Sequence, residues 1–306
     1  MTLDETDVHS FWSAHPCGDQ IVGGLHGTFE DDYERFFAAY DSWRYRQESH
    51  ILECLDRIDW QGKNVLEIGL GQGAESEQLI RRGACWSGLD LTQESVDRVR
   101  ARLDLRALPY GDARRGSALE IPWPDDSFDL VFSHGVLHHI PDVRRAQSEI
   151  HRVLRPGGRL VAMLYARSSL NYQVSIRVLR RAALFAAYPF RHVRFVRSAP
   201  MMRDHLDNAE QAGLRSYLRL ETFTHRSTDG PHNPYAKVYS LRDVREDFPD
   251  FRIVDAYQRY MHAPPLPVHG LPGGTRLGWH LWVTLQARRS ENVPPSDLHD
   301  QEVDIR

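Results

Sequence analysis

A glycine-rich turn between an apolar run and an amphipathic stretch constrains this chain more than any other feature of its sequence. Residues 64–68 are apolar and partly β-branched, which predicts a buried strand, and Gly69, Gly71 and Gly73 follow directly. Glycines let the backbone turn sharply and approach a ligand closely. Asp90 stands nineteen residues after Gly71, at the end of the next apolar run, where a carboxylate can accept hydrogen bonds from both hydroxyls of a ribose. The spacing predicts a nucleoside-containing cofactor, although the same glycines also satisfy the dinucleotide pattern G-x-G-x-x-G/A.

Apolar runs and amphipathic stretches alternate from residue 62 onward, which predicts a doubly wound α/β fold. We predict strands at residues 64–68, 85–91, 110–113, 128–133, 159–165, 251–260 and 279–288. Helices are predicted between the first five, at residues 75–82, 92–104 and 143–154, and a short one at residues 241–247. Between residues 165 and 240 the alternation stops, and this mostly helical stretch is interpreted as a lid.

These patterns divide the chain into five parts. We expect an N-terminal helical cap (1–60), a cofactor-binding core (61–165), a helical lid or insertion (166–240), a C-terminal part of the sheet (241–289) and a flexible tail (290–306).

Composition excludes several classes of protein. The 306 residues are 41% hydrophobic and 26% charged, which excludes a disordered chain, and the net charge of −4 predicts no overall attraction to nucleic acid. Three widely spaced cysteines, Cys17, Cys54 and Cys85, favour neither a disulfide framework nor a zinc knuckle. The acidic start of the chain does not read as a secretory signal, and no apolar run is long enough to span a membrane. We expect a soluble, cytoplasmic protein; a homo-oligomer is left open.

Three further features narrow the cofactor. Glu67 stands just before the glycines, where it would repel a pyrophosphate but would suit a cationic ligand. Asp112 follows the third predicted strand and could accept a hydrogen bond from an adenine amine. Two segments then follow in order, DSFDLVFSHGVLHHIPD (126–142) and EIHRVLRPGG (149–158). With these motifs, residues 65–165, about a third of the chain, resemble the class I S-adenosylmethionine-dependent methyltransferases.

The resemblance implies a Rossmann-like sheet of seven strands, the last one antiparallel, with S-adenosylmethionine as methyl donor. It implies that the cofactor's methionine part contacts Glu67, Gly69, Gly71 and Gly73, and that its ribose contacts Asp90. Its adenine would contact Asp112 and Ala113, and Ser133 and His134 would flank the methyl donor. Leu91 is also predicted to bind the cofactor.

Candidates for a general base lie where the carboxyl ends of the strands meet. His138, His139 and Tyr165 are the predicted catalytic residues, because a histidine with a pKa near neutrality can take a proton from an acceptor. The alternative is that His138 and His139 only pack in the fold and cap a helix, without acting as a base. His134 and His138 stand four residues apart without the H-E-x-x-H pattern, and we predict no metal.

Acceptor-binding residues are predicted in two places beyond the core. A polar loop at residues 224–235 offers His225, Asp229, Asn233 and Tyr235, although its Asp-Gly-Pro and Asn-Pro sequences are also ordinary turn chemistry. The N-terminal aromatic stripe with Arg44 could close over the cofactor, or could simply be core.

Eight arginines and no acidic residue occur between residues 167 and 203, and Arg177 and Arg181 are predicted to contact the acceptor. Guanidinium groups bind carboxylates and phosphates in a bidentate manner, which favours an anionic small molecule. An anionic polymer or membrane, or pairing with acids elsewhere in the fold, are the alternatives.

The sequence as a whole predicts a methyltransferase of bacterial specialised or cofactor metabolism, acting on a small molecule, with in-line transfer of the methyl group. An RNA or protein methyltransferase that uses the arginine-rich lid, and a cofactor-binding protein that does not methylate, are the alternatives.

Overall fold

The computed structural model describes residues 5–15 and 32–288. Cys17 and the expected flexible tail lie outside the described residues. Within these described residues, three helices precede the sheet: α1 (Glu5–Ala14), α2 (Tyr33–Gln47) and α3 (His50–Leu55). No helix of the described part of the chain has the length and apolar character to cross a bilayer.

Strands and helices then alternate as the sequence predicts. The order is β1 (Asn64–Ile68), α4 (Ala74–Arg81), β2 (Cys85–Asp90), α5 (Gln93–Leu105), β3 (Ala113–Arg115), β4 (Phe128–His134), α6 (Val143–Val153) and β5 (Leu154–Ala166). Thr92 caps α5 by accepting a hydrogen bond from the backbone N–H of Ser95, and Asp142 caps α6 in the same way from Arg145.

The stretch after β5 is helical. It contains a π-helix (Asn171–Arg180), α7 (Arg181–Ala187), α8 (Pro200–Ala212), α9 (Leu214–Tyr217) and α10 (Leu220–Thr228). The remaining elements are β6 (Val238–Tyr239), α11 (Leu241–Asp247), β7 (Phe251–Arg259), α12 (Gly274–Leu277) and β8 (His280–Ala287).

The sheet order is β3-β2-β1-β4-β5-β8-β7, and β6 pairs with β5 beside this path. The strands β1 to β5 are parallel to one another, while β8 is antiparallel to both β5 and β7. The predicted Rossmann-like fold with an antiparallel last strand is therefore confirmed. The two-residue β6 is an eighth strand that the sequence did not indicate.

Some predicted boundaries were wrong. The fifth strand, expected at residues 159–165, begins at Leu154. The third strand was expected at residues 110–113 but begins at Ala113, because only single backbone bonds join residues 111 and 112 to the neighbouring β2. The residues 224–228 were assigned to a loop, yet they form the last turn and a half of α10, which ends at the C-cap Asp229. The apolar Phe223 of this helix is buried, and its ring contacts those of His205 in α8 and Tyr217 in α9.

Apolar side chains cover both faces of the sheet. Consecutive residues of the central strands alternate between two clusters, as Val65 and Leu66 do on β1 and Trp282 and Val283 do on β8. A third cluster, around Phe36, Phe37 and Tyr40 of α2, packs on Ala74 at the start of α4 and so places α2 above the glycine turn.

Candidate active site

A cavity opens at the edge of the sheet where the parallel strands β1, β2 and β4 end, which is where ligands bind in open α/β folds. The glycine turn and the segments after β2 and β4 form its walls, and α1 and α2 cover it with Val8, Trp12, Tyr40 and Arg44. Its empty volume, including the opening to solvent, is about 1130 Å³, in the range of sites that take a cofactor.

The glycine turn makes room for the cavity through its backbone conformation. Gly69 and Gly71 have φ of 82° and 51°, in the left-handed region that favours glycine, and both line the cavity. A Cβ on Gly69 would collide with Val136 in the segment after β4. Gly73 also has positive φ but does not line the cavity; it is the N-cap of α4 and packs against Val99 of α5.

Asp90 anchors the glycine turn from the end of β2. One carboxylate oxygen accepts a hydrogen bond from the backbone N–H of Leu70 at 2.7 Å, and the other accepts from the backbone N–H and the hydroxyl of Thr92, both at 2.8 Å. Burial raises the pKa of Asp90, and these hydrogen bonds act against that rise. Asp90 therefore shapes the cavity wall, a role beyond the predicted ribose contact, which stays a prediction.

Glu67 lies at the bottom of the cavity with its side chain buried. The Trp86 indole N–H donates to its carboxylate at 2.7 Å, and burial raises its pKa to about 8, against the hydrogen bonds from Ser76 and Trp86. The group is therefore mostly protonated at neutral pH in the free protein. A cation placed beside it would favour its ionised form.

Arg44 of α2 is the guanidinium that lines the cavity. It donates to Glu75 at 3.0 Å and to Nδ1 of His134 at 3.1 Å, and it pairs with Glu48 at 3.2 Å. Because an arginine can only donate, Nδ1 of His134 accepts and the proton of the neutral ring is on Nε2. Burial, with the charge of Arg44, lowers the pKa of His134 well below its ordinary value, so this ring stays neutral.

His139, Asp229 and Tyr165 form a second polar group at the same edge of the sheet. His139 lines the cavity; its Nε2 lies 3.3 Å from Asp229, and its Nδ1 lies 2.8 Å from the backbone carbonyl of Tyr235. The Tyr165 hydroxyl donates to the other oxygen of Asp229 at 2.8 Å. Burial would raise the pKa of Asp229, but the charge of His139 and the hydrogen bond from Tyr165 hold it below its ordinary value. Asp229 is therefore an ionised partner for His139.

His138 is buried behind this group. Its ring contacts that of Tyr165 in a tilted arrangement with a centroid distance of 3.8 Å, and neither ring nitrogen has a hydrogen-bond partner among the described residues. Burial, together with His139 and His134, lowers its pKa well below the ordinary value, and His138 does not line the cavity. The geometry therefore separates the two predicted histidines, with only His139 exposed to the cavity.

The structure brings six of the ten predicted cofactor residues to the cavity wall: Glu67, Gly69, Gly71, Asp90, Leu91 and His134. Asp112 is turned aside by its ion pair with Arg114, Ala113 is buried in the sheet, and Gly116 and Ala118 line this part of the cavity instead. Ser133 is buried and donates to the backbone carbonyl of Ile68 at 3.1 Å. Asp112, Ala113, Ser133 and Gly73 thus lie outside the cavity lining, and their contacts with the cofactor stay predictions.

None of the predicted acceptor residues lines the cavity, and their contacts with an acceptor stay predictions. His225 bonds to the backbone of Ala236, and Asn233 donates to Thr228, so these side chains hold the loop together. Tyr235 contributes its backbone carbonyl to His139, and Asp229 reaches the site through His139 and Tyr165.

Arg177 and Arg181 make local hydrogen bonds away from the cavity. Arg177 donates to Gln173, and Arg181 donates to the backbone carbonyl of Leu218 at 3.0 Å. Their predicted contact with the acceptor stays a prediction that the cavity does not support.

Several cavity residues were missed by the sequence reasoning. Glu5, Val8 and Trp12 of α1 cover the cavity, and the Trp12 ring lies 5.3 Å from that of His139. The only available signal was the spacing of Val8, Phe11 and Trp12, which is that of one helix face. Thr92 and Ser95 also line the cavity, although the sequence predicts only a helix at residues 92–104 there.

The residues present suit S-adenosylmethionine. Four acidic side chains line the cavity, Glu5, Glu67, Glu75 and Asp90, against the guanidinium of Arg44. This set suits a ligand that bears a sulfonium and an ammonium beside a single carboxylate, because such cations would favour the ionised form of Glu67. The Gly69 backbone leaves space that any Cβ would fill. The charge of the lining and the space at Gly69 both fit this cofactor.

A metal fits this region poorly. Glu48, His134 and His280 have potential ligand atoms within 4.8 Å of one another, the one such grouping in residues 5–15 and 32–288. The guanidinium of Arg44 contacts both Glu48 and His134, however, and its charge opposes a cation there.

Comparison with known proteins agrees with this geometry. A family model described as a methyltransferase domain matches residues 66–162. The phthiotriol/phenolphthiotriol dimycocerosates methyltransferase of Mycobacterium tuberculosis is 39% identical over 104 residues, which cover 33% of this chain and 37% of that protein. The fatty-acid O-methyltransferase of Mycolicibacterium smegmatis is 37% identical over 104 residues, with the same shares. The matches thus span little more than a third of these two curated relatives.

Among solved structures, a chain of the complex that contains the Haloferax volcanii Trm112 methyltransferase activator superposes with a TM-score of 0.50 at 18% identity, covering 85% of this chain and 97% of that one. This likeness shows the fold alone. The matching family model and the sequence relatives together identify residues 66–162 as a methyltransferase domain.

Proposed function

We propose that this protein transfers the methyl group of S-adenosylmethionine to an oxygen of a long-chain, lipid-like small molecule. The observation that carries the proposal is the juxtaposition, at one cavity, of an acidic wall built on Glu67 and Asp90 with the pair formed by His139 and Asp229. The first suits the cofactor, and the second suits removal of a proton from a hydroxyl or carboxyl acceptor.

S-adenosylmethionine, when bound, supplies an electrophilic methyl group on a sulfonium. Residues of this chain that would hold it are Glu67, Gly69, Gly71 and Asp90, and Arg44, which also bonds to Glu75 and His134, would lie beside its carboxylate. Methyl transfer is an in-line displacement, so the protein's main tasks are to align the acceptor and exclude water. Trp12 and Val8 of α1, which cover the cavity, contribute to the second task.

His139 is the residue placed to accept a proton. Its Nδ1 faces a backbone carbonyl, which can only accept, so that nitrogen carries the hydrogen and Nε2 is the basic atom of the neutral ring. Once Nε2 takes a proton, the carboxylate of Asp229 at 3.3 Å stabilises the imidazolium. Tyr165 orients Asp229 by donating to its other oxygen. Asp229 and Tyr165 are thus positioning residues in this mechanism.

The acceptor class is supported by the names of two relatives, which act on dimycocerosates and on a fatty acid. Both are long-chain molecules, and a hydroxyl or carboxyl oxygen on such a molecule would have to lose a proton before or during transfer. A base such as His139 meets that need.

Transfer of radiolabelled methyl from S-adenosylmethionine tests the proposal. The purified chain would be incubated with a long-chain fatty acid, a long-chain diol, bulk RNA and a protein mixture, and label in the organic extract would be compared with label in the polymer fractions. We expect label in the organic extract, and Gly69→Ala should abolish it. Label in RNA or protein, with none in the extract, would instead favour a polymer methyltransferase.

A further inference from the structure

The lid segment exposes an unusual concentration of apolar side chains. Nine large hydrophobic residues are exposed in the described part of the chain, and six of them lie within residues 178–201. We call these six the apolar lid face: Val178, Phe185, Phe190, Val193, Phe195 and Met201. Phe195 is 84% exposed and Phe185 is 64% exposed, so large aromatic surfaces meet water directly. An exposed cluster of this kind marks an interaction site more often than chance.

The exposure of these side chains does not mean that the segment lacks a hydrophobic core. The same helices bury other apolar residues, Leu184 of α7 and Leu206 and Ala209 of α8, in the main hydrophobic cluster. The turn between the helices is held by backbone hydrogen bonds from Val193 to Phe190 and from Ser198 to Phe195. The lid is therefore folded with its own buried side, and the apolar lid face is its outward side.

Positive charge accompanies this face. Residues 168–219 contain nine arginines and three acidic residues, a net charge of +6 in a chain whose net charge is −4. Arg191, Arg197 and Arg203 pair with acids of α8, which confirms in part the expectation that the arginines are paired. Arg194 is exposed between Val193 and Phe195, and Arg215 and Arg219 are exposed nearby; the described residues provide no acidic partner for these three.

We propose that the apolar lid face docks on the surface of an anionic phospholipid bilayer. Aromatic side chains would enter the boundary between headgroups and acyl chains, while Arg194 and its neighbours would contact lipid phosphates. Charge complementarity selects this occupant, because a second copy of the chain would bring another positively charged lid against the first. The proposal rests on the proposed function in one respect, since a long-chain acceptor is most abundant in a membrane.

Vesicle sedimentation tests this docking without any acceptor. The purified protein would be mixed with vesicles of phosphatidylcholine alone and with vesicles containing roughly a quarter phosphatidylglycerol, at low and high salt. We expect binding to the anionic vesicles that weakens as salt rises, and much weaker binding to phosphatidylcholine.

Variants then assign the binding to this face. The double variant Phe190→Ala/Phe195→Ala should lower vesicle affinity roughly tenfold or more, and Arg194→Glu should lower it roughly fivefold or more. The matched controls are Leu105→Ala, an exposed leucine on α5, and Arg245→Glu, an exposed arginine on α11, both of which should bind like the wild type.

Two results would overturn the docking proposal. The first is vesicle binding that neither phosphatidylglycerol nor the lid variants change. The second is an ultracentrifugation profile in which the wild type is a dimer and Phe190→Ala/Phe195→Ala is a monomer, since a second copy would then cover the face. Binding of S-adenosylmethionine to the same variants is measured separately by calorimetry. If vesicle binding fails while cofactor binding is intact, the docking proposal is wrong but the proposed function is not affected.

Discussion

Gly69 is the position where the site depends most on a single residue. Its φ of 82° disfavours any side chain, and a Cβ would collide with Val136 on the facing segment. Glu67, two residues earlier, is a second residue whose properties are set by its surroundings, because burial raises the pKa of its carboxyl to about 8. Both effects are properties of one residue in its immediate surroundings, and both can be tested by one substitution.

Gly69→Ala should abolish measurable binding of S-adenosylmethionine. Left-handed backbone costs a non-glycine residue about 1 to 2 kcal/mol, and the collision with Val136 adds to it. Calorimetric titration with the cofactor measures the effect. Gly62→Ala is the matched control, since Gly62 has φ of 67° with no atom near its would-be Cβ. Equal losses in both variants would mean that backbone strain, and not the shape of the cavity, explains the result.

Glu67→Gln should change the pH dependence of stability. Because the folded state keeps the Glu67 proton up to a pKa of about 8 while the unfolded state loses it near 4.5, this group's contribution to stability is full below pH 4.5 and declines as pH rises through that window. Glutamine stays neutral throughout. Thermal unfolding should therefore give a variant that matches the wild type near pH 5 and exceeds it near pH 9. The exposed Glu120→Gln serves as control, and a pH-independent difference for Glu67→Gln would contradict the assignment.

At the scale of elements, the cavity is assembled by segments that the chain order keeps apart. Arg102 of α5 pairs with Asp41 of α2 at 2.6 Å and with Glu77 of α4 at 2.9 Å, so one buried guanidinium ties the covering helix to the core. This contact holds α2 where its Arg44 reaches the cavity. The loop after α10 similarly brings Asp229 to the end of β5.

Arg44→Ala should weaken cofactor binding by about tenfold or more, the scale of a lost charge-assisted hydrogen bond. It removes the guanidinium that lines the cavity beside Glu75. Arg46→Ala is the matched control on the same helix, with an exposed side chain. Titration with S-adenosylmethionine compares the two, and thermal unfolding checks that both fold. Equal affinities would remove Arg44 from the cofactor site.

His139→Ala should lower turnover about 100-fold or more while leaving cofactor affinity unchanged, because a general base contributes on this scale. Asp229→Asn should lower turnover as well and should shift the pH profile, since the imidazolium of His139 loses its ionised partner. His138→Ala is expected to affect stability more than turnover, as His138 is buried behind the cavity. Turnover of His139→Ala equal to that of the wild type would exclude the proposed base.

At the scale of the whole molecule, the N-terminal helices close a cavity that the sheet leaves open. The α1 residues Glu5, Val8 and Trp12 reach the wall formed by residues more than a hundred positions later, including His139. The Glu5 carboxylate also accepts a hydrogen bond from Ser117. The covering of the site is thus a property of the assembled fold.

Deleting residues 1–15 should speed dissociation of S-adenosylmethionine while the core stays folded, because α1 covers the cavity without contributing a strand to the sheet. Stopped-flow displacement measures the dissociation rate, and circular dichroism follows the fold. Trp12→Ala in the full chain should give part of the effect. An unchanged dissociation rate in the deleted chain would mean that α1 does not close the site.

The sequence predicted most of the framework because its signals are local. The apolar run before Gly69, the start of a helix at Thr92 and the glycine turn depend on backbone conformation and hydrogen bonds within a few residues, and the structure agrees with them. Predictions about side-chain direction were less accurate. Asp112 was expected at the adenine but pairs with Arg114 two positions on, and nothing in the local pattern distinguishes these outcomes.

Sequence alone determined the order of strands and helices, the glycine turn and the acidic residues at the ends of β1 and β2, because periodicity and turn chemistry act over short distances along the chain. Only the tertiary structure decided which histidine faces the cavity, that Asp229 meets His139 and Tyr165, and that α1 and Arg44 cover the site. Some of these contacts join residues more than a hundred positions apart. Their geometry depends on how helices and strands pack in the folded chain.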